Sequence, residues 1–137
     1  MSEMLPQGAT IGILGGGQLG RMLSVAASRL GFKTHIYEPA ANPPAAHVAD
    51  RVTTAPYEDL ATLRAFAAAV DVVTYEFENV PTEALDAIEA LRPIRPDRRA
   101  LAISPDRILA KDFLTGLGLT CAPYAAVSTA ADLEAAL

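Results

Sequence analysis

Three groups of residues in this 137-residue chain have types and spacing that could do chemistry. The first is the run Gly15-Gly16-Gly17-Gln18-Leu19-Gly20-Arg21-Met22, directly after the apolar segment Thr10-Ile11-Gly12-Ile13-Leu14. A short buried strand that feeds a glycine-rich turn and then a helix outlines a phosphate site. Glycines let the backbone turn tightly and approach an anion, and the unpaired N–H groups and positive dipole end of the helix favour negative charge. The second is Glu38, roughly 20 residues past the glycines, the distance at which a dinucleotide fold places its ribose-binding acid. The third is Glu76-Phe77-Glu78-Asn79, where a carboxylate could accept hydrogen bonds from an amine or polar ring on a ligand whose phosphate sits at the glycine turn. Gly15, Gly17 and Gly20 also satisfy G-x-G-x-x-G, so a nicotinamide-dependent oxidoreductase domain is an open reading. A module that senses a phosphorylated metabolite without turnover is another.

Alternating strands and helices must position these groups. Thr10 to Leu14 reads as the first strand, and Leu19 to Leu30 as a helix with Leu19, Met22, Leu23, Ala26, Ala27 and Leu30 at core spacing and Gly31 as its stop. Lys33 to Tyr37 is the second strand and delivers Glu38 to its carboxyl end. A proline loop, Pro39 to Pro44, and a helical turn around Ala45 to Ala49 lead to a weak third strand, Arg51 to Thr54. Glu58 to Ala69 is an alanine-rich helix with Leu60, Leu63, Phe66 and Ala67 on one face. Asp71 to Tyr75 is the fourth strand, and Pro81 opens a helix running to about Leu91. Such units in series imply an α/β, Rossmann-like parallel sheet with helices on both faces. Sheets of this kind bind ligands at the carboxyl ends of their strands, so Gln18, Glu38 and Glu76 should converge on one crevice.

The alternation breaks after Arg92, at Pro93, Pro96 and Asp97-Arg98-Arg99, which marks a boundary. Asp106 to Leu117 is a helix, a strand is expected near Tyr124 to Val127, and Thr129 with Asp132 makes a capping-box start for a last helix. The chain stops at Leu137 inside that helix, which suggests truncation. A net charge of −5 argues against nucleic-acid binding by bulk charge. The single cysteine, Cys121, allows no internal disulfide, and His35 and His47 have no metal-ligand companions at useful spacing. Neither a leader nor a membrane-spanning run is visible, and a cytoplasmic location is expected.

The glycine run, together with Pro44-Ala45-Ala46-His47-Val48-Ala49-Asp50 and Thr74-Tyr75-Glu76-Phe77-Glu78-Asn79-Val80-Pro81, resembles the amino-terminal domain of the 5-(carboxyamino)imidazole ribonucleotide synthases, an ATP-grasp family. Asp106-Arg107-Ile108-Leu109-Ala110-Lys111-Asp112-Phe113-Leu114, with Gly118 and Ala122-Pro123, resembles that family's entry into its ATP-binding part. The resemblance implies a pre-ATP-grasp ribonucleotide-binding domain over residues 1–95, then a linker and the incomplete start of an ATP-grasp domain over 96–137. It implies a ligase of purine biosynthesis in which ATP phosphorylates bicarbonate, and the carboxyphosphate carboxylates the exocyclic amine of aminoimidazole ribonucleotide. Gly17, Gln18 and Leu19 would contact the ribonucleotide, Glu76 would face its amine, and Arg107, with Lys111 beside it, would contact ATP. Magnesium would hold the ATP phosphates through ligands past Leu137, a homodimer is expected, and this chain alone should not catalyse the reaction.

Other polar residues have plainer readings. His35 alternates within its strand as a structural residue, and His47 follows the proline loop as a turn cap. Arg21 could meet a phosphate or lie on a solvated face, and Arg98 and Arg99 read as surface. Glu78 has no assigned role, because with Phe77 between them it and Glu76 need not point the same way. Cys121 reads as a packing residue.

Overall fold

The computed structural model describes residues 4–76 and 79–137. Phe77 and Glu78 therefore lie outside the described residues, and with them the reading of Glu78. The chain divides into two compact units, Met1–Arg98 and Arg99–Leu137.

The first unit is an α/β domain built on four parallel strands, β1 (Thr10–Leu14), β2 (Lys33–Tyr37), β3 (Arg51–Thr53) and β4 (Val72–Tyr75), in the order β3-β2-β1-β4. Ile13 pairs with Ile36 on one side and Thr74 on the other, and the register brings Leu14, Tyr37 and Tyr75 level at the carboxyl edge. Pro93 to Arg95 continue the sheet beyond β4: Val73 donates to the Pro93 carbonyl at 3.0 Å and Arg95 donates to that of Val73 at 2.8 Å. β1 is a nearly continuous apolar run, and β2 is buried from Thr34 to Tyr37, because a parallel sheet is covered on both faces.

One face carries α1 (Gln18–Arg29) and a 3-10 turn at Pro44–His47, with Ile13, Ile36 and Ala45 forming its buried cluster. The other carries α2 (Leu60–Ala68), which in turn packs on α3 (Thr82–Glu89). Phe66 of α2 reaches the sheet beside His35 and Tyr37, its ring edge-on to both at 4.8 and 5.3 Å. A side chain at Gly12 would collide with that ring at 2.8 Å, so glycine in mid-strand makes room for Phe66. Asp59 caps α2 by accepting from the Thr62 N–H at 3.0 Å and from its hydroxyl, which holds the Asp59 carboxyl below its ordinary range.

The buried face of α1 departs from the periodicity. Gly20, Ser24 and Ala27 face inward, while Leu19, Met22, Leu23 and Leu30 are exposed. The helix lies too close to the turn for large residues: a Cβ on Gly20 would stand 2.5 Å from the Gly15 carbonyl oxygen, and Ser24 returns its hydroxyl to the Gly20 carbonyl at 2.9 Å. Leu23 and Leu30 instead flank an apolar groove of about 950 Å³ whose floor is Ile11, Ile13, Val72 and Thr74. Gly31, at φ +83°, ends the helix in the left-handed conformation that its position requires.

The second unit holds α4 (Arg99–Ile103), α5 (Arg107–Gly116) and α6 (Ala130–Ala136). Asp106 caps α5 by accepting from Ile108 and Leu109, and Thr129 with Asp132 forms the expected capping box of α6. The short helix α4 is not signalled by the sequence pattern. No strand forms at Tyr124 to Val127, which corrects that expectation: among the described residues no neighbouring strand offers a ladder to this segment, and an unpaired β-prone run stays irregular. Tyr124 is tied instead to α5, through its hydroxyl to Asp112 and beneath the Lys111 ammonium, 4.9 Å above its ring.

Candidate functional site

The strand order places β2 on one side of β1 and β4 on the other, so chain direction across the sheet reverses between β1 and β4. A crevice opens beyond the carboxyl ends of the strands at such a reversal. The glycine turn leaves β1 there, and Glu76 leaves β4 opposite it, its N–H donating to the Leu14 carbonyl at 3.1 Å.

The turn is held one peptide at a time. Gly15 adopts φ +104°, which L side chains rarely adopt, and its N–H donates to the Tyr37 carbonyl at 3.0 Å. The Gly16 N–H donates to Glu38 Oε2 at 2.7 Å. The Gly17 N–H donates to Glu76 Oε1 at 3.3 Å, and the Gly16 carbonyl accepts from the Ala45 N–H at 2.9 Å. A Cβ at Gly15 would fall 2.5 Å from the Glu76 side chain, and one at Gly16 would meet Pro43 at 2.8 Å. The glycines thus serve close approach by the protein's own groups: two turn N–H donors expected for a phosphate here serve carboxylates, a charge-assisted pairing of the kind an N-terminal helix dipole favours.

Gly17, Glu38, Tyr57, Glu58, Glu76 and Asn79 line a cavity of about 440 Å³. Gly17 stands at the N-cap of α1 and is half-buried, whereas Gln18 and Leu19, the first residues of the helix, are exposed. Of the three residues expected to converge, Glu38 and Glu76 line this cavity, whereas Gln18 is exposed and does not line it. Tyr57 was not signalled. It is buried at the carboxyl end of the connection after β3, where burial, then the nearby Glu38 and Glu76 carboxylates, push its phenol well above the ordinary range, while a hydrogen bond with the Gly15 backbone pulls the other way. The available signal was position: Tyr57 follows a strand at the same edge as Gly15 and Glu76.

Glu38, the acid on which the dinucleotide reading rests, is engaged by the chain's own backbone. Its Oε2 accepts from Gly16 and its Oε1 from the Ala40 N–H at 3.0 Å, so each oxygen already holds a backbone N–H of this chain. Arg21 donates to the Pro44 carbonyl at 3.2 Å, which ties α1 to the proline loop. Asp50, last of the Pro-Ala-Ala-His-Val-Ala-Asp run, accepts from the Thr34 N–H at 2.8 Å and so secures the start of β2, while His47 is exposed. Arg98 pairs with Asp86 and Glu89 on α3.

In the second unit Arg107 is the exposed first residue of α5. Lys111, one turn on, donates to the Ala122 carbonyl at 3.3 Å as well as covering Tyr124. Cys121 is half-buried, its thiol 4.0 Å from the Lys111 carbonyl. Among the described residues no group of three or more His, Cys, Asp or Glu side chains is arranged to hold a metal ion. No described helix is long and apolar enough to cross a membrane.

A glycine turn and a fixed acid facing each other across the reversal point of a parallel sheet define an α/β ligand-binding domain. The chain belongs to the family of ribonucleotide synthetase preATP-grasp domains, whose pattern it matches over residues 8–105. It is 50% identical over 133 residues to the N5-carboxyaminoimidazole ribonucleotide synthase of Brucella melitensis, a match that covers 97% of this chain and 37% of that protein. The structure of the Staphylococcus aureus N5-carboxyaminoimidazole synthetase complexed with ADP superposes with a TM-score of 0.84 at 34% identity, over 96% of this chain and 35% of that one. That of the Aspergillus clavatus synthase in complex with ADP and 5-aminoimidazole ribonucleotide superposes with a TM-score of 0.78 at 32% identity, over 95% and 35%. The chain therefore spans little more than a third of these relatives.

Proposed function

We propose that this domain is the ribonucleotide-binding part of an ATP-dependent ligase that carboxylates 5-aminoimidazole ribonucleotide on its exocyclic amine, with bicarbonate as the carbon source. The observation that carries the reading is Glu76. One of its oxygens is held by the Gly17 N–H, and the side chain lines the cavity at the sheet's reversal point. A carboxylate fixed through one oxygen leaves the other to accept from an amine and orient it. Such orientation matters because a carboxyphosphate intermediate is short-lived in water and must meet an amine already in place.

Gly17, Gln18 and Leu19 at the start of α1 contact the ribonucleotide in this reading. Arg107 contacts ATP, since a guanidinium keeps its charge and presents a fixed fork of donors to a polyphosphate, with Lys111 as the lesser contributor. Residues 1–95 form the ribonucleotide-binding domain, and 96–137 the linker and beginning of an ATP-grasp domain. The protein works as a cytoplasmic homodimer with magnesium on the ATP phosphates, the metal being held outside the residues described here. The 137-residue chain by itself is inactive.

The test is ADP release by the full-length enzyme given ATP, magnesium and bicarbonate, with and without 5-aminoimidazole ribonucleotide. Release that depends on the ribonucleotide, and that falls at least tenfold in Glu76→Ala, about the effect of removing one hydrogen bond to a charged group, supports the reading. Release indifferent to the ribonucleotide refutes it, and full turnover by Glu76→Ala removes Glu76 from the mechanism.

A further inference from the structure

Glu38 is marked in the sequence for a ribose, and its two bonds to backbone N–H groups raise the question of what it does within the fold. It sits at the carboxyl end of β2, its own N–H fixed to the Thr53 carbonyl at 3.0 Å. From that anchored position one oxygen takes the Gly16 N–H at 2.7 Å and the other the Ala40 N–H at 3.0 Å. The carboxylate therefore bridges the glycine turn to the loop that leads to Pro43 and Ala45. That loop contacts the turn a second time, through the Ala45 N–H on the Gly16 carbonyl at 2.9 Å.

The two contacts act on successive peptide planes. Glu38 holds the plane that joins Gly15 to Gly16; Ala45 holds the next, which carries the Gly16 carbonyl and the Gly17 N–H together. That N–H is the donor to Glu76 Oε1. Three consecutive glycines have more backbone freedom than any other tripeptide, so the direction of the Gly17 N–H is set by whatever fixes the planes before it. We propose that Glu38 is a positioning residue for substrate binding: it clamps the Gly16 N–H so that the Gly17 N–H holds Glu76 with its second oxygen toward the cavity.

The proposal rests on Glu76 being the partner of the substrate amine. It predicts a defect confined to the ribonucleotide. In the full-length enzyme Glu38→Ala should raise KM for 5-aminoimidazole ribonucleotide about tenfold or more, the equivalent of one hydrogen bond to a charged group, and leave KM for ATP in place. Glu38→Gln keeps one acceptor oxygen and should recover part of the loss. Hydrogen exchange should quicken at the Gly16 and Gly17 amides and stay unchanged in β1, a signature that general destabilisation does not give.

An unchanged ribonucleotide KM in Glu38→Ala overturns the proposal, and so does a loss shared equally by ATP and ribonucleotide with faster exchange throughout the sheet. Should Glu38→Ala fail to fold, the same division in Glu38→Gln decides. Glu76→Ala measured alongside separates the two ideas. If it impairs turnover and the Glu38 variants do not, only the role of Glu38 falls; if Glu76→Ala is also silent, the reading of the site falls with it.

Discussion

Acidification should destabilise this domain through one buried imidazole. His35 is 3% exposed on the inner face of β2, its Nε2 2.8 Å from Thr53 Oγ1 and its ring edge against Phe66. The other ring nitrogen, Nδ1, has no hydrogen-bond partner among the described residues. A neutral ring that donates from Nε2 leaves only a lone pair at Nδ1, whereas protonation would create a buried N–H without an acceptor. Burial, and next the positive charge of Arg51, lower the His35 pKa from 6.5 to about 4. The unfolded chain thus takes up this proton at higher pH than the folded one. Stability from the neutral ring is complete above the unfolded value of 6.5 and is lost progressively as pH falls through the interval down to about 4. At about 1.4 kcal/mol per pH unit the full interval amounts to roughly 3 kcal/mol, a large share of a typical domain's 5–15 kcal/mol. Urea unfolding of the 137-residue chain and its His35→Gln variant, at steps from pH 7.5 to pH 4.5, checks this. The stability of the original should fall by about 2 to 3 kcal/mol more than that of the variant, which shares every other titrating group. Parallel pH dependence in the two proteins would refute the reasoning, as would an imidazole NMR titration with its midpoint near the ordinary value.

Two further outcomes follow from packing. Gly15→Ala forces a side chain into a positive-φ position and against the Glu76 carboxylate, and should cost about 2 kcal/mol or more in urea unfolding; in the full-length enzyme it should also weaken ribonucleotide binding, because Glu76 must move. Phe66→Ala empties the contact between α2 and the sheet at Gly12, His35 and Tyr37 and should cost about 3–5 kcal/mol, read as a lower midpoint of thermal unfolding.

The division between sequence and structure follows the range of the forces involved. Strand runs, helix stops and caps are local: Gly31 as the end of α1 and the Thr129–Asp132 box are legible because each acts within one turn of its own residue, while Asp59 and Asp106, placed inside their helices by the pattern, stand as their caps. The strand-turn-helix order likewise places the glycine turn, Glu38 and Glu76 at one edge of a parallel sheet before any coordinate is known, although Gln18, expected with them, does not line the cavity. Tertiary structure decided what the pattern could not. The apolar stripe Leu19, Met22, Leu23 and Leu30 has helical spacing, but the close seat of α1 on the Gly15 carbonyl admits only Gly20, Ser24 and Ala27 inward. The β-prone run at Tyr124 forms no strand, because a strand needs a partner from elsewhere in the chain. Glu38 has the right type and spacing for a ribose, and only the three-dimensional paths of the glycine turn and the proline loop bring a backbone N–H to each of its oxygens. Residue type and order are properties of the chain; which donor a carboxylate finds is a property of distance across the fold.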